Sequence, residues 1–498
     1  MTLVGESFAR LGFPVNFLDM MHREEKAERK KVPLRPRMAP AFFRLLRLAR
    51  RVFRMARQVE PFIATQDRRI DAFRKKGWPG ESPESLLADL DRLNAFHAEA
   101  QWMIVAVAMN MAVRSRFLKR MARRGAPDAT LGDVLKGYGR SGGLAPFEAM
   151  RALAATARAL DRPILERLAA EGGPGAVPVA DAELAVSEAG RGLLAEFEAF
   201  MARYGFLSAN GSDFSEVPWI EEPRSIWRTV ARLALRPDAG PSPDEAEAHR
   251  EEVLALVRAG LGPLRRRRFD SLHRSTVRFI GWRERISLLM SEDSYLMRRC
   301  SLALGRELVG RGALESPEDV FFLYADELRD AIATRSAAKD RSDTPAAKVA
   351  RRKAEMAADA AIDPPETISA DGWNAPPREP PPPEPGLDVL HGVGGSAGVL
   401  RGRARIVHDP ALEGHHLTRE DVLVVPFTDI GWTPVLAEAG AIVAETGGQL
   451  SHTSIIAREF GIPAVVSVRG ATGLIREGED ITVDGTAGRV ILHRGKKT

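Results

Sequence analysis

The chain has 498 residues, of which 44% are apolar and 28% charged. That length exceeds one ordinary domain and that composition excludes wholesale disorder, so two or three packed domains are expected. A formal charge of +5 is concentrated at one end, with 14 Lys/Arg against 5 Asp/Glu in residues 1–58. The one cysteine, Cys300, excludes an internal disulfide and suits a reducing, cytoplasmic setting.

Residues 1–60 read as a basic N-terminal segment. Met1 to Met21 alternates apolar and polar residues without the apolar core of a signal peptide. Pro40 to Gln58 puts Phe42, Leu45, Leu46, Val52 and Phe53 on one helical face and Arg44, Arg47, Arg51 and Arg54 on another. Three readings fit this stripe: a solvated face of a packed helix, a docking face for an acidic partner, or a face for a membrane surface or nucleic acid. Aromatic residues are not interleaved with the basic ones, so no nucleic-acid module is expected, and the run Arg265 to Arg268 is read in the same way.

Residues 61–332 read as a mostly helical domain. Apolar residues recur there at three- and four-residue spacing among Ala, Leu, Arg and Glu, with breaks at Gly125–Pro127, Gly142–Gly143, Gly172–Gly175 and Pro237–Pro243. The longest apolar stretch, Trp102 to Val113, is interrupted by Asn110 and too short to span a bilayer; a buried helix is expected. Residues 333–386 are a boundary: a charged helix over Lys348 to Ala361, then PPREPPPPEP at 376–385. Ten such residues in polyproline II make a spacer of about 30 Å.

From 387 to 498 the period changes. Ala404–Val407, Val422–Val425, Ala441–Val443, Ala464–Val466 and Ile481–Val483 are short β-branched runs separated by turns. Ser451 to Phe460 reads as one helix, with Ser451 as N-cap and Gly461-Ile462-Pro463 as its stop. The fold class expected is multidomain α and α/β, a helical N-terminal domain followed by a compact α/β domain.

The chemistry-bearing segment is ETGGQLSHTSIIAREFGIPAVV, Glu445 to Val466. Gly447 and Gly448 let the backbone approach a bulky ligand, and His452 stands in the first turn of a helix. A helix N-terminus offers free N–H groups and positive potential, which suits a phosphate and disfavours imidazolium. A neutral imidazole attacking phosphorus gives a phosphoramidate that stays reactive towards a second acceptor. Ser451, Thr453 and Arg458 are candidate supporting residues. Arg458, six residues on, faces largely away from His452 and is equally readable as a surface arginine. On these residues alone, a capping or core histidine fits as well as a carrier.

The segment resembles the phosphohistidine signature of the phosphoenolpyruvate-utilising enzymes. Its flanks, GVGGSAGVLRGRARIVHDP (392–410) and DVLVVPFTDIGWTPVLAEAGAIVAETGG (421–448), resemble the histidine domain of the rifampicin phosphotransferase type. RGALESPEDVFFLYADEL (311–328) and FMARYGFLSANGSDFSEVPWIEEP (200–223) resemble parts of that group's middle domain, the second without the arginine and glycine that often follow its tyrosine-glycine pair. The resemblance implies a swivelling β/β/α phosphohistidine domain, with His452 as phosphoryl carrier, and a helical domain that binds the acceptor or scaffolds the mobile domain. Leu450 stands where pyruvate phosphate dikinases carry a regulatory threonine, so that regulation is not expected.

The family's ATP-grasp domain and phosphoenolpyruvate-binding barrel have no counterpart in this sequence. The glycines at 392, 394, 395 and 398 do not read as a dinucleotide loop, and the adjacent His415 and His416 do not read as a metal site. The expectation is a phosphotransferase subunit of dikinase type. No cofactor is bound by this chain alone; ATP and Mg sit on an ATP-grasp-type partner, and a small organic molecule is the acceptor. The rivals are a ligase-like condensing enzyme using the same relay and a non-catalytic scaffold.

Overall fold

The computed structural model describes residues 56–78, 80–127, 129–135, 145–170, 181–235, 243–334, 344–359, 389–408, 417–436, 438–449 and 451–494. The basic stripe up to residue 55, the proline-rich stretch, Leu450, His415 and His416 lie outside the described residues. The chain divides into a unit of residues 1–62 and a unit of residues 63–498. In the first, a 3-10 turn at Ala56–Gln58 leads into the opening residues of helix α1 (Val59–Lys76).

The helical region is organised by two long helices, α2 (Pro83–Gly125) and, later in the chain, one at Pro263–Gly310. Ser82 caps α2 by accepting from the Ser85 N–H, and Pro83 occupies the first turn, where its missing N–H costs nothing. Leu86, Leu93, Ala100, Met103, Val107 and Met111 form the buried stripe of α2 at helical spacing. Asn110 sits in that stripe and turns its amide back to the Ala106 carbonyl at 2.9 Å, which lets the apolar run stay one helix. Between the long helices come α3 (Ala145–Ala157), α4 (Arg162–Ala170), α5 (Glu188–Tyr204), α6 (Arg224–Leu235) and α7 (Pro243–Ala259). The second long helix is α8, and α9 (Ala325–Ala333) and α10 (Pro345–Asp359) follow it.

Helices α2 and α8 lie antiparallel. The Cys300 thiol donates to Leu86 O (3.2 Å), His97 Nδ1 meets Asp293 Oδ2 (3.2 Å), and Arg114 Nε donates to Ser275 Oγ (2.8 Å). At 1.5 Å per residue, α8 is a rod of about 70 Å that runs the length of α2. The charged helix expected near 348 forms as α10, where Arg352 holds Glu327 of α9.

The C-terminal region is an eight-stranded sheet in the order β1-β8-β7-β3-β4-β5-β6-β2. Its strands are β1 (Val389–His391), β2 (Val393–Ser396), β3 (Val399–Ile406), β4 (Asp421–Val425), β5 (Ala441–Ala444), β6 (Ala464–Val466), β7 (Asp480–Asp484) and β8 (Arg489–Leu492). β3 to β6 run parallel and the other pairings are antiparallel. Helix α11 (His452–Phe460) crosses between β5 and β6. Strands β3 to β7 are the five the hydrophobic runs predict; β1, β2 and β8 are additional. Gly394 and Gly395, in the segment that reads as no dinucleotide loop, lie in β2. There, added Cβ atoms would stand 2.4 Å from Gly485 O and 2.5 Å from Ser454 Oγ.

The alternation of strand side chains joins the two regions. Val422, Val424, Ala441 and Val443 enter the sheet's own core with Ile481 and Val483. Leu423, Val425, Ile442 and Ala444 face the other way, into a cluster shared with Phe147, Phe197, Phe200 and Trp227 of the helices. The α/β domain therefore lies docked on the helical region across a continuous apolar core. The helical and α/β parts expected from the sequence are both present.

Candidate functional site

Helix α11 is built as its sequence dictates. Ser451, extended at φ −68° and ψ 161°, caps it by accepting from the Ser454 N–H, and Gly461 ends it at φ +66°. His452 is the first helical residue. Gly447 is required by conformation and by space: its φ is +119°, and a Cβ there would stand 2.9 Å from Ser451 Oγ. Gly448 differs, because a Cβ there meets nothing within 4 Å. Its carbonyl serves the loop by accepting from the Ser451 N–H (2.9 Å) and the Ser454 hydroxyl (2.8 Å).

The His452 ring is partly buried where α11 meets the helical region. Its Nε2 stands 3.5 Å from Thr433 Oγ1, whose own proton goes to the Ile430 carbonyl. Removal from water pushes the imidazole pKa below its ordinary value. The charges of Glu284 and Asp429 act against that shift, while Arg283 adds to it. A neutral ring faced by two carboxylates and a guanidinium is the electrostatic outcome.

These charged groups come from three places. Arg283 and Glu284 are neighbours on α8, with Arg283 Nε donating to Glu284 Oε1 at 2.9 Å. Asp429 follows β4 and opens the 3-10 turn Ile430–Trp432, where Oδ1 accepts from the Ile430 N–H at 2.8 Å. Its other oxygen, Oδ2, accepts from the Gly211 N–H at 3.1 Å, across the boundary between the sheet and the helices. Beside that bond Gly431 lies against Ser208, so closely that an added Cβ would stand 1.7 Å from the Ser208 carbonyl oxygen. The loop after α5 and the turn after β4 thus meet backbone to backbone.

Other contacts complete the docked arrangement. Phe460 packs against Phe147 of α3 with ring centroids 4.3 Å apart and planes inclined at 58°. Arg232 of α6 holds the buried Glu438 carboxylate. Lys119 of α2 donates to Gln449 Oε1 at 3.5 Å, on the loop that leads into α11.

Not every residue singled out from the sequence is brought to the ring. Thr453 is buried and shares a 2.7 Å hydrogen bond with Thr428 Oγ1, so its hydroxyl is engaged beneath the helix. Arg458 donates to the Gly395 carbonyl at 2.6 Å and lies beside Gly132, and burial lowers its pKa to about 10. Arg283, Glu284, Asp429 and Thr433 were missed. Asp429 and Thr433 stand in the flank quoted above, but Arg283 and Glu284 reach the site from another domain and carry no local signal. Among the described residues no three His, Cys, Asp or Glu side chains converge as a metal-binding group. No described helix is long and apolar enough to cross a membrane.

Residues 417–488 match the family described as PEP-utilising enzyme, mobile domain, and residues 99–284 match the rifampicin phosphotransferase fourth domain. The second match runs from within α2 to Glu284 itself. A rifampicin phosphotransferase of Streptomyces sp is 34% identical over 306 residues, covering 59% of this chain and 34% of the relative. One of Bacillus cereus is 30% identical over 304 residues, with 59% and 34% covered. The prodigiosin synthesizing transferase PigC of Serratia marcescens is 27% identical over 303 residues, with 61% and 34% covered. The chain spans about a third of the length of these curated relatives. The chain thus carries a PEP-utilising enzyme mobile domain over residues 417–488 and a rifampicin phosphotransferase fourth domain over residues 99–284.

Proposed function

We propose that the chain is a phosphotransferase in which His452 carries a phosphoryl group to a small organic acceptor held by the helical domain. The observation that carries this reading is the placement of His452: an imidazole whose charged form burial disfavours, at a helix N-terminus and within electrostatic reach of Arg283 and Glu284 of the helical domain. ATP and Mg on an ATP-grasp-type partner supply the phosphoryl group. The α/β domain then swings between that partner and the docked position described above.

In the docked state the bond between phosphorus and the imidazole nitrogen breaks as one forms to the acceptor oxygen. The hydroxyl proton of the acceptor ends on the ring, which leaves as neutral imidazole. Glu284 and Asp429 favour the protonated ring, and so favour the leaving group that this step requires. The Arg283 guanidinium offsets the charge of the phosphoryl oxygens, as does the helix N-terminus. Burial of the site excludes water, which would otherwise compete as acceptor.

Incubation of the chain with its partner and ATP labelled at the β-phosphate tests the reading. An acid-labile label lost in His452→Ala is expected; a label that persists in the variant overturns it. The similarity to PigC favours a second reading, in which the same relay activates a substrate for condensation. The product separates the two: a phosphorylated acceptor supports the first, a condensed product with released phosphate the second.

A further inference from the structure

Beyond the histidine site, α1, α5 and α8 line an open cavity of about 510 Å³, a size that suits a drug-sized organic ligand. It adjoins the reaction site along three elements. Leu288, one helical turn beyond Glu284, lines it from α8. Phe206 lines it from the loop that continues to Ser208 and Gly211, which meet the turn carrying Asp429. Ala145 lines it from the start of α3, the helix whose Phe147 packs against Phe460.

Its walls divide into an apolar body and a charged part. Ile70, Tyr204, Phe206 and Leu288 supply the apolar surface. Of the three arginines, two are already neutralised by wall residues: Arg74 pairs with Glu292 and with Asp71 (3.2 Å), and Arg285 pairs with Asp67. Arg203 is different. It lines the cavity at the end of α5, and among the described residues its guanidinium pairs with no carboxylate and lies 5.2 Å from the centroid of the Tyr204 ring. A guanidinium beside an aromatic wall, with no carboxylate partner among the described residues, matches a planar apolar molecule that carries an anionic group.

The geometry points to this cavity as the acceptor site, and to an acceptor with a flat apolar body and a carboxylate or similar anion read by Arg203. Naming the bound molecule as the acceptor rests on the relay proposed above; the binding itself does not. Anilinonaphthalene sulfonate has the stated chemistry, an aromatic body with one anion, and phenylnaphthylamine is its uncharged counterpart. Both dyes are titrated against the full chain and followed by fluorescence. Arg203→Leu should weaken the sulfonate roughly ten- to a hundredfold, the loss expected for one charge-assisted contact. The uncharged dye should change by less than about twofold. Leu288→Trp, or Ala145→Leu where the tryptophan variant fails to fold, should block both dyes by filling the cavity. His452→Ala should leave both titrations unchanged, so dye binding reads the cavity while phosphoryl labelling reads the relay, and failure of one is separable from failure of the other. Equal loss of both dyes in Arg203→Leu overturns the anionic class; unchanged binding in both cavity-filling variants overturns the site.

Discussion

Gly431→Ala adds one methyl group at the seam between the α/β domain and the helices. Gly431 does not use the left-handed region, so alanine costs nothing in backbone conformation. The new Cβ would stand 1.7 Å from Ser208 O, 2.4 Å from Ser208 C and 2.9 Å from Ala209 N, all main-chain atoms that no rotamer change can move. Restoring even a 3.0 Å contact requires the two backbones to part by about 1.3 Å. The Gly211 N–H to Asp429 bond, now 3.1 Å, cannot survive that separation. Its net loss is about 1 kcal/mol, and a misplacement of about 1 Å between reacting groups costs on the order of a hundredfold in rate. Loading of His452 by the partner should stay within about twofold of wild type, while transfer from the loaded chain to the acceptor falls about a hundredfold. Amide hydrogen exchange gives an acceptor-independent readout: Gly211 should exchange faster by about fivefold or more, as 1 kcal/mol implies. Unchanged exchange at Gly211 together with unchanged transfer would refute the docked geometry as the reactive one.

Gly132→Ala is a contrasting control, since its Cβ would meet the flexible Arg458 Cδ at 2.8 Å, and transfer should fall by less than about threefold in the same assay. Arg232→Met removes a cation that holds the Glu438 carboxylate, which is 3% exposed on its side chain, and should lower stability by about 3 kcal/mol in urea denaturation. The His452 ring should titrate below the ordinary imidazole range in NMR, because burial disfavours its charged form. Glu284→Gln should move that midpoint further down by removing a charge that favours protonation. Burial of a neutral His452 makes its contribution to stability full above the unfolded value of 6.5 and lost as pH falls towards the folded value, a loss that His452→Gln should remove. Glu327, held down to about 2 mainly by Arg352, contributes stability above its unfolded value of 4.5 that is lost as pH falls towards 2. Arg352→Met should flatten acid unfolding over that window.

What the sequence made legible was local. Ser451, His452 and Gly461 define α11 because capping and left-handed termination depend on a few adjacent residues. The five buried strands announced themselves through β-branched runs. Strands β1, β2 and β8 did not: β2 is VGGS, and its pairing follows from close backbone approach, not from apolar pattern. Thr453 is a candidate phosphate support by sequence, yet its hydroxyl meets Thr428, a partner 25 positions earlier. Arg283 and Glu284 were invisible for the same reason at greater range. Nothing in GWRER marks those two charges, and only the packing of a sheet face on the helical core carries them to His452.

Phosphorus NMR of the chain after loading by ATP and its partner tests the central claim most directly. The account predicts one phosphoramidate signal, stable in base and lost in acid, absent from His452→Ala and discharged when the acceptor is added. A phosphoester signal, or a phosphoramidate that persists in His452→Ala, would contradict it.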